Sequence, residues 1–313
     1  MLVILIVLLV IFAFCFGVGC YTFFAACGRG KEINWSDEEA VKATPFGQFY
    51  GNIHLGRLWL QDHHARDVFM TNREGLKLHA VWVPSPKAKG TVIFAHGFHS
   101  CGLSDFSLAF DLYHNLDMNI LLLTHRTHAP SQGKYITFGV NESRDMYDWI
   151  LYHNEHLGDY PVLCSGLSMG AATVMYLAGM DLPENVRGFV ADCGFTSPKE
   201  IIAHVFKQKT HMPAWPFLWA ADLSARFFAG ISLNEMHSTQ TLLKNTRPIL
   251  LVHGMEDDFV PTEMTRRSFD ACGGDKTLLL VEGAGHGVSF LVAREAYLEK
   301  IYQLVEKVQG KEK

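Results

Sequence analysis

The chain has 313 residues, of which 49% are hydrophobic, and its formal net charge is −5. This length accommodates one large domain or two smaller ones, and the acidic charge balance provides no electrostatic footprint for nucleic acid. The sequence contains no Walker motif and no dinucleotide-type glycine pattern, so we predict no bound nucleotide and no other cofactor.

The first 28 residues contain no Lys, Arg, Asp or Glu. If residues 2–26 are helical, they extend about 37 Å, which exceeds the roughly 30 Å hydrocarbon core of a bilayer. Tyr21, Phe23 and Phe24 lie near the end of this helix, where an aromatic belt is expected. A cleaved signal peptide would have a shorter apolar core after a basic segment. The sequence therefore predicts an uncleaved transmembrane anchor at residues 1–28, in contact with membrane lipid.

Two features bear on the side of the membrane on which the rest of the chain lies. Arg29 and Lys31 follow the anchor, and the positive-inside rule then favours the cytoplasmic side. The four cysteines after the anchor are widely spaced and form no Cys-x-x-Cys pair. This usage fits a reducing compartment, although four cysteines are also enough for two disulfides.

After the anchor, residues 29–65 are predicted to form a juxtamembrane lead-in, helical from residue 37 and broken near Pro45. Beyond it, short apolar runs alternate with helical stretches without an internal repeat. Strands are predicted at 66–71, 76–83, 91–95, 119–124, 161–165, 187–192, 248–252 and 277–282. Helices are predicted near 104–116 and 141–155, directly after residue 168, after residue 261 and from about residue 289. This alternation predicts one α/β domain at 66–313 with a mostly parallel, doubly wound sheet.

Residues 166–170, Gly-Leu-Ser-Met-Gly, join a predicted strand to a helix of small residues. A serine at this point is held at the apex of a sharp turn, as in a nucleophile elbow. The two glycines allow close backbone approach, and the N-terminus of the helix favours developing negative charge. The pentapeptide alone is weak evidence, but its position between strand and helix makes Ser168 the predicted nucleophile.

Two later strand ends supply the partners that a serine nucleophile requires. Asp257 lies in a His-Gly-x-x-Asp-x-x-Val-Pro segment after one strand, and His286 lies between glycines after the next. We predict that His286 accepts the serine proton and that Asp257 orients the imidazole. Asp258, the neighbour of Asp257, and Asp192, at an earlier strand end, are the alternative acids.

The backbone N–H groups of Phe98 and Met169 are predicted to bind the oxyanion of a tetrahedral intermediate. Met169 directly follows the nucleophile, and Phe98 lies in the Ala-His-Gly-Phe segment after an earlier strand. One donor from each of these places is the arrangement that this chemistry uses. His99, next to Phe98, is predicted at the mouth of the substrate pocket.

Four motifs together resemble those of the α/β-hydrolases: residues 95–98, 166–170, 253–261 and 285–286. The closer similarity is to serine hydrolases grouped as S33-like aminopeptidases and esterase/lipase-like proteins. Residues 131–139 and 191–197 also resemble segments of bacterial, membrane-anchored members. The resemblance covers roughly residues 66–308 and implies an α/β-hydrolase fold with a Ser-His-Asp triad. The chain departs from the pattern at 124–131, where relatives more often have Arg-x-His-Gly-x-Ser, which puts the substrate preference in doubt.

Residues 196–247 are too many for an ordinary connection between two elements of an α/β unit, which takes about 2–6 residues. In α/β-hydrolases such an insert commonly caps the substrate pocket, and this one is predicted to be a helical cap. Its candidate substrate-binding residues are Met212, Trp215, Phe217 and Trp219. Two alternatives stay open: these side chains pack the insert onto the domain, or they contact the membrane.

The resemblance implies a serine hydrolase, carboxylesterase- or lipase-like, that cleaves a carboxylic ester or thioester with an apolar acyl group. An S33-like peptidase or amidase and an acyltransferase are alternatives on the same fold, and a non-catalytic binding protein is a more distant one. The histidine pairs at 63–64 and 125–128 lack a third ligand at metal-site spacing, so we predict no metal site. The sequence leaves the oligomeric state open.

Overall fold

In the computed structural model, which describes residues 1–310, the frame of the molecule is an eight-stranded sheet. Its strands are β1 (Arg66–Thr71), β2 (Lys77–Val83), β3 (Gly90–Ala95), β4 (Met118–Thr124), β5 (Val162–Leu167), β6 (Val186–Asp192), β7 (Ile249–Gly254) and β8 (Lys276–Val281). They lie in the order β1-β2-β4-β3-β5-β6-β7-β8. The β1–β2 and β2–β4 pairs are antiparallel, and the other pairs are parallel. The predicted α/β class with a mostly parallel, doubly wound sheet is confirmed.

Helices cover both faces of the sheet, as the uninterrupted apolar runs of its central strands require. The helices are α1 (Leu2–Cys27), α2 (Glu38–Lys42), α3 (Tyr50–Asp62), α4 (Gly102–Phe106), α5 (Phe110–Asn115), α6 (Val140–His156), α7 (Met169–Leu177), α8 (Pro198–Thr210), α9 (Trp215–Ser224), α10 (Ser238–Thr241), α11 (Thr262–Ala271), α12 (Ser289–Val292) and α13 (Arg294–Val308). Side chains of α6 and α7 pack on one face of the sheet. Side chains of α3, α4, α5 and α13 pack on the other.

The structure divides two helices that were predicted as continuous, and it divides the lead-in where a break was predicted. The helix predicted at 104–116 is α4 and α5 with a 3-10 turn at Ser107–Ala109 between them, and the C-terminal helix is the short α12 followed by α13. The lead-in holds α2 and α3, separated by a 3-10 turn at Gly47–Phe49 that begins directly after the predicted break near Pro45. After the 3-10 turn in the lead-in, α3 packs on the sheet through Trp59 and Leu60. Part of the lead-in therefore lies near the carboxyl ends of the strands.

The N-terminal helix α1 is long and apolar enough to cross a membrane, with a mean hydropathy of 3.2 over an 18-residue window. Residues 1–14 are exposed, whereas Gly19, Phe23 and Cys27 are buried against the rest of the chain. An apolar N-terminal helix of this kind is either a membrane anchor or a signal sequence. Here its second half packs along α9, inside the insert.

Candidate active site

The carboxyl ends of parallel strands bring the predicted site residues to one edge of the sheet. Phe98 follows β3, Ser168 follows β5, Asp257 follows β7 and His286 follows β8. Because β3, β5, β6, β7 and β8 are consecutive in the sheet, the loops that follow them lie side by side. Ligands bind at this edge in open α/β sheets.

Ser168 occupies a sharp turn between β5 and α7. Its backbone has φ of 55° and ψ of −113°, a strained conformation that residues other than glycine seldom adopt. The turn is possible because Gly166 and Gly170 carry no side chain: a Cβ on Gly166 would overlap the carbonyl of Gly170, and one on Gly170 would overlap the carbonyl of Ala95. The strand–turn–helix context required of a nucleophile elbow is therefore present.

A continuous hydrogen-bonded chain joins the three predicted catalytic side chains. The Nε2 atom of His286 lies 2.9 Å from the Oγ atom of Ser168, and its Nδ1 atom lies 2.7 Å from the Oδ2 atom of Asp257. These distances suit transfer of the serine proton to the imidazole and a carboxylate that fixes the imidazole tautomer.

Asp257 is buried and strongly hydrogen-bonded. Its Oδ1 atom accepts the N–H groups of Phe259 and Val260 at 2.9 and 2.8 Å, and its Oδ2 atom lies 3.2 Å from the Nε2 atom of His253. Burial acts to raise the pKa of Asp257, but the hydrogen bonds from His253 and His286 outweigh it and hold that pKa well below its usual range. Asp257 is therefore a carboxylate at neutral pH.

Neither alternative acid hydrogen-bonds to His286 within the described residues. Asp258 is exposed, and its backbone carbonyl accepts a hydrogen bond from Gln208 at 2.7 Å. Asp192 is buried and accepts the hydroxyl of Ser289 at 3.3 Å. Burial raises the pKa of Asp192 to about 6, so this carboxyl lacks the strong stabilisation of its charge that Asp257 has.

The two predicted oxyanion donors lie beside the nucleophile. Met169 is the first residue of α7, and Phe98 follows Gly97, where an added Cβ would lie 3.5 Å from the Cβ of Ser168. Over residues 1–310, neither the N–H of Phe98 nor that of Met169 donates to a backbone carbonyl. Both donors are thus available to a ligand oxygen in front of Ser168.

Asp105 in α4 holds the loop that carries Phe98, and no sequence motif pointed to it. Its Oδ2 atom accepts the N–H of Gly97 at 2.7 Å, and its Oδ1 atom accepts the hydroxyl of Ser100 at 2.5 Å. Burial raises the pKa of Asp105 to about 6, against the effect of these hydrogen bonds. In the sequence, Asp105 could have been noticed as an acidic residue in the first turn of the helix that follows this loop.

A cavity of about 510 Å³ lies in front of Ser168 and His286. Its mainly apolar wall comes from the α4–α5 region, from the segment after His286 and, unexpectedly, from the lead-in. The lead-in residues that line it are Pro45, Phe46, Gln48, Phe49 and Asn52. The segment predicted only as a juxtamembrane connection therefore forms a side of the candidate substrate pocket.

The predicted substrate-binding residues Met212, Trp215, Phe217 and Trp219 do not line this cavity. In the insert, α9 packs on α1, and the rings of Trp219 and Phe12 are in contact with centroids 5.3 Å apart. This cavity therefore gives no support to their predicted role in substrate binding, and the burial of Phe217 fits the alternative that it packs the insert onto the rest of the chain.

His99 is also displaced from its predicted place at the pocket mouth. It lines a separate cavity of about 80 Å³ together with Gly30 and Trp35. A Cβ on Gly30 would contact the His99 ring, so the start of the lead-in packs directly on this imidazole. Burial lowers the pKa of His99, which favours its neutral form.

One group of potential metal ligands occurs among the described residues: Cys193, Asp257 and His286, whose ligand atoms lie within 4.8 Å of one another. The group does not suit a metal. Both Asp257 and His286 are engaged in the hydrogen-bonded chain to Ser168, and burial raises the pKa of the Cys193 thiol well above its usual range, whereas a metal binds the thiolate.

Comparison with known proteins agrees with this architecture. Residues 90–224 match a family model described as alpha/beta hydrolase fold. The uncharacterised protein YqkD of Bacillus subtilis is 27% identical over 217 residues, which cover 69% of this chain and 71% of that protein.

Two solved structures share the fold at low identity. The Pyrococcus furiosus esterase Pf2001 superimposes with a TM-score of 0.66 at 19% identity, over 80% of this chain and 95% of that one. Est1E of Butyrivibrio proteoclasticus, solved with ferulic acid bound, has a TM-score of 0.60 at 17% identity, over 77% of this chain and 100% of that one. At such identities the likeness bears on the fold alone.

Proposed function

We propose that this chain, which has the α/β-hydrolase fold, is a serine hydrolase that cleaves carboxylic ester or thioester bonds. The observation that carries the proposal is the hydrogen-bonded chain from Ser168 through His286 to Asp257, with two backbone N–H donors beside the serine. The fold hosts many reactions, so the assignment depends on these residues and not on the architecture.

In the proposed reaction, the Oγ atom of Ser168 attacks the substrate carbonyl carbon while His286 accepts the hydroxyl proton. The N–H groups of Phe98 and Met169 stabilise the oxyanion. The tetrahedral intermediate collapses to an acyl-serine, and His286 gives its proton to the departing alkoxide or thiolate. Water then attacks the acyl carbon as His286 takes a proton from it, and the second collapse releases a carboxylic acid and restores Ser168.

The cavity supports an apolar acyl group as the substrate feature. Its wall includes the rings of Phe46, Phe49 and Phe290, and a volume of about 510 Å³ lies within the range of small-molecule pockets. The same fold carries chemistry of this kind in other proteins, since Pf2001 is an esterase and Est1E was solved with ferulic acid bound. We therefore place an ester or thioester with a medium-length apolar acyl chain first.

An S33-like peptidase would be helped by a carboxylate in the pocket that binds the substrate amine. The cavity does contain Asp105 and Asp192. Both oxygens of Asp105 already accept hydrogen bonds from Gly97 and Ser100, and Asp192 accepts one from Ser289. This engagement favours an ester over a peptide as the substrate in the proposal.

The proposal includes α1 as a single-pass anchor that holds the catalytic domain, residues 66–313, at a membrane. Its length, apolar composition and exposed first half support this role. Arg29 and Lys31 directly after it favour the cytoplasmic side for the domain.

The test is turnover of p-nitrophenyl esters of increasing acyl length by the full chain in detergent or vesicles. We expect hydrolysis with an optimum at one chain length, and a loss of about 10⁴-fold or more in Ser168→Ala. Ser165→Ala is the matched control, since Ser165 is also buried and lines the same cavity; it should retain activity within about tenfold. Absence of turnover in folded wild-type protein, or equal activity in Ser168→Ala, contradicts the proposal.

A further inference from the structure

The insert carries a row of large apolar side chains that the rest of the described chain leaves largely uncovered. The row consists of Trp215, Trp219, Leu223 and Phe227, each four residues after the last, and we call it the α9 stripe. Trp215 is 78% exposed and Phe227 81% exposed. Trp215, Trp219 and Leu223 lie along one face of α9, and Phe227 follows in the π-helical turn Ala225–Ala229. An apolar surface of this kind marks a contact with something outside the domain.

The stripe belongs to a firmly packed element. On its opposite face, Phe217, Leu218 and Ala221 are buried, and Phe217 packs on Phe206 of α8 with ring centroids 5.2 Å apart. Its outward side chains are therefore presented by a fixed scaffold.

The helix next to the stripe indicates what covers it. This neighbour is α1, and α9 packs along its length. Trp219 contacts Phe12 and Phe16, with ring centroids 5.3 and 5.8 Å apart. Further along, a Cβ on Gly19 would overlap Ala220. The stripe is thus continuous with the apolar surface of α1.

The depth of this contact follows from helix geometry. A hydrocarbon core of roughly 30 Å requires about 20 helical residues. A span that begins at Leu2, the first residue of α1, then reaches Tyr21. The residues of α1 that contact α9, from Phe12 to Gly19, lie inside such a span. If α1 crosses the membrane and keeps these contacts, α9 lies at the depth of the hydrocarbon core.

We propose that the α9 stripe is embedded in the same lipid bilayer that α1 spans, as a second membrane contact of the domain. This inference rests on the proposed membrane anchor. The charged residues here are compatible with this placement, because Asp222 of α9 pairs at 2.8 Å with Arg226 of the π-helical turn Ala225–Ala229.

The end of α1 also lies close to the candidate active site. The last turns of α1 share one apolar cluster with Met169 and Phe138, and Phe138 stacks on Phe98 with ring centroids 5.3 Å apart. The anchor, the stripe and both oxyanion donors are therefore connected through packed side chains on the carboxyl edge of the sheet.

The experiment uses the full chain in dioleoylphosphatidylcholine vesicles, with and without phosphatidylcholine brominated on its acyl chains. Bromine quenches the fluorescence of tryptophan in direct contact with lipid tails. Of the six tryptophans, Trp82 and Trp149 are buried and should not respond. We expect the double variant Trp215→Phe/Trp219→Phe to lose roughly half or more of the wild-type quenching, since it removes two amphipathic rings from the lipid contact. Trp59→Phe, the matched control in α3, should leave the quenching unchanged.

Vesicle flotation separates this inference from the anchor on which it rests. If the full chain does not float with vesicles, the anchor is wrong and the inference falls with it. If the chain floats but quenching is the same in wild type and in Trp215→Phe/Trp219→Phe, the anchor stands and the inference is overturned, because the stripe then faces water or a second copy of the chain. Iodide dissolved in the aqueous phase quenches tryptophan that is exposed to water. It should therefore quench Trp215 poorly in vesicles.

Discussion

The lead-in at 29–65 and the insert at 196–247 both lie in places that differ from those expected from their sequences. The lead-in, with few conspicuous residues, lines the cavity in front of Ser168 through Phe46 and Phe49. The aromatic-rich insert packs on α1 instead, through Phe217 and Trp219. Aromatic side chains pack against apolar surfaces of many kinds, and the apolar helix α1 provides such a surface as well as a substrate does. Composition alone therefore does not separate a pocket wall from a surface that packs on α1.

The largest expected effect is a loss of kcat when Asp105 is removed. The comparison is with Asp222 of the insert, an aspartate with the same local role. Asp105 holds the loop of Phe98 by accepting one backbone N–H and one serine hydroxyl, and Asp222 holds residues 232–233 of the insert in the same way. We expect Asp105→Ala to lower kcat for p-nitrophenyl esters about 100-fold, because an oxyanion donor is displaced, with KM changed less than about threefold.

Asp222→Ala is the control for this pair and should lower the melting temperature while kcat stays within about twofold of wild type. Asp105→Asn, which keeps one acceptor oxygen, should recover part of the kcat lost in Asp105→Ala. Equal kcat losses in Asp105→Ala and Asp222→Ala would contradict the claim that only Asp105 positions a loop of the candidate active site.

The second prediction concerns the contact between α1 and the insert. A side chain at Gly19 would overlap Ala220 and the carbonyl of Phe217, whereas nothing lies within 4 Å of a Cβ at Gly17. Gly19→Leu should destabilise the insert by about 1–3 kcal/mol, as overpacking typically does. Thermal unfolding and limited proteolysis in detergent measure this. Gly17→Leu should be neutral, and an equal effect of the two substitutions would mean that α1 does not pack on α9.

A third, smaller effect is a change in the preferred acyl length, which we expect from a substitution in the lead-in and not from one in the insert. Phe49→Ala removes an apolar wall from the cavity and should lower kcat/KM for the preferred ester about tenfold while shifting the optimum to longer acyl chains. Trp215→Ala in the insert should leave the chain-length profile unchanged with soluble esters. A profile that responds to Trp215→Ala and not to Phe49→Ala would restore the insert as the cap of the pocket.

The smallest effect is a difference in pH dependence between the two regions. Burial raises the pKa of Asp192 in the cavity to about 6, so its contribution to stability is complete below its usual pKa near 4 and is lost as the pH rises through about 6. At Asp222, burial acts to raise the pKa, but hydrogen bonds from Arg226 and Ser232 outweigh it and lower the pKa. Its stabilisation is therefore present above the usual pKa and lost as the pH falls through the lowered pKa.

Melting temperatures at pH 4.5 and pH 8 test these opposite signs. Relative to wild type, Asp192→Asn should gain stability at pH 8 compared with pH 4.5, because the variant avoids a buried charge at the higher pH. Asp222→Asn should be destabilised at pH 8 and at pH 4.5, and the difference should shrink only in stronger acid. The same sign for both variants would contradict the assigned environments.

The residues of the candidate triad could be predicted from the sequence because each follows a short apolar strand. The carboxyl ends of parallel strands converge on one edge, so local patterns around Ser168, Asp257 and His286 sufficed to bring distant positions together. The fold class followed from the same alternation of strands and helices. Asp105 was missed because its role depends on a side-chain contact with Gly97, which no periodic pattern reveals.

The pocket wall could not be predicted because it depends on the path of the lead-in. Breaks in its helices turn residues 45–52 back over the sheet, and the destination of such a turn is set by tertiary packing. The place of the insert depended likewise on α1, whose apolar side chains gave no indication of which part of the chain they contact. Non-local packing of this kind leaves little trace in a single sequence.

The central claim is that Ser168 is a nucleophile activated by His286, and its most direct test is covalent labelling. The full chain in phosphatidylcholine vesicles would be treated with a fluorophosphonate probe, digested and analysed by mass spectrometry. We expect one adduct, on the peptide that contains Ser168, none on that peptide in Ser168→Ala, and a labelling rate reduced about 10³-fold or more in His286→Ala. An unlabelled Ser168 in folded wild-type protein, or labelling that does not depend on His286, would contradict the account.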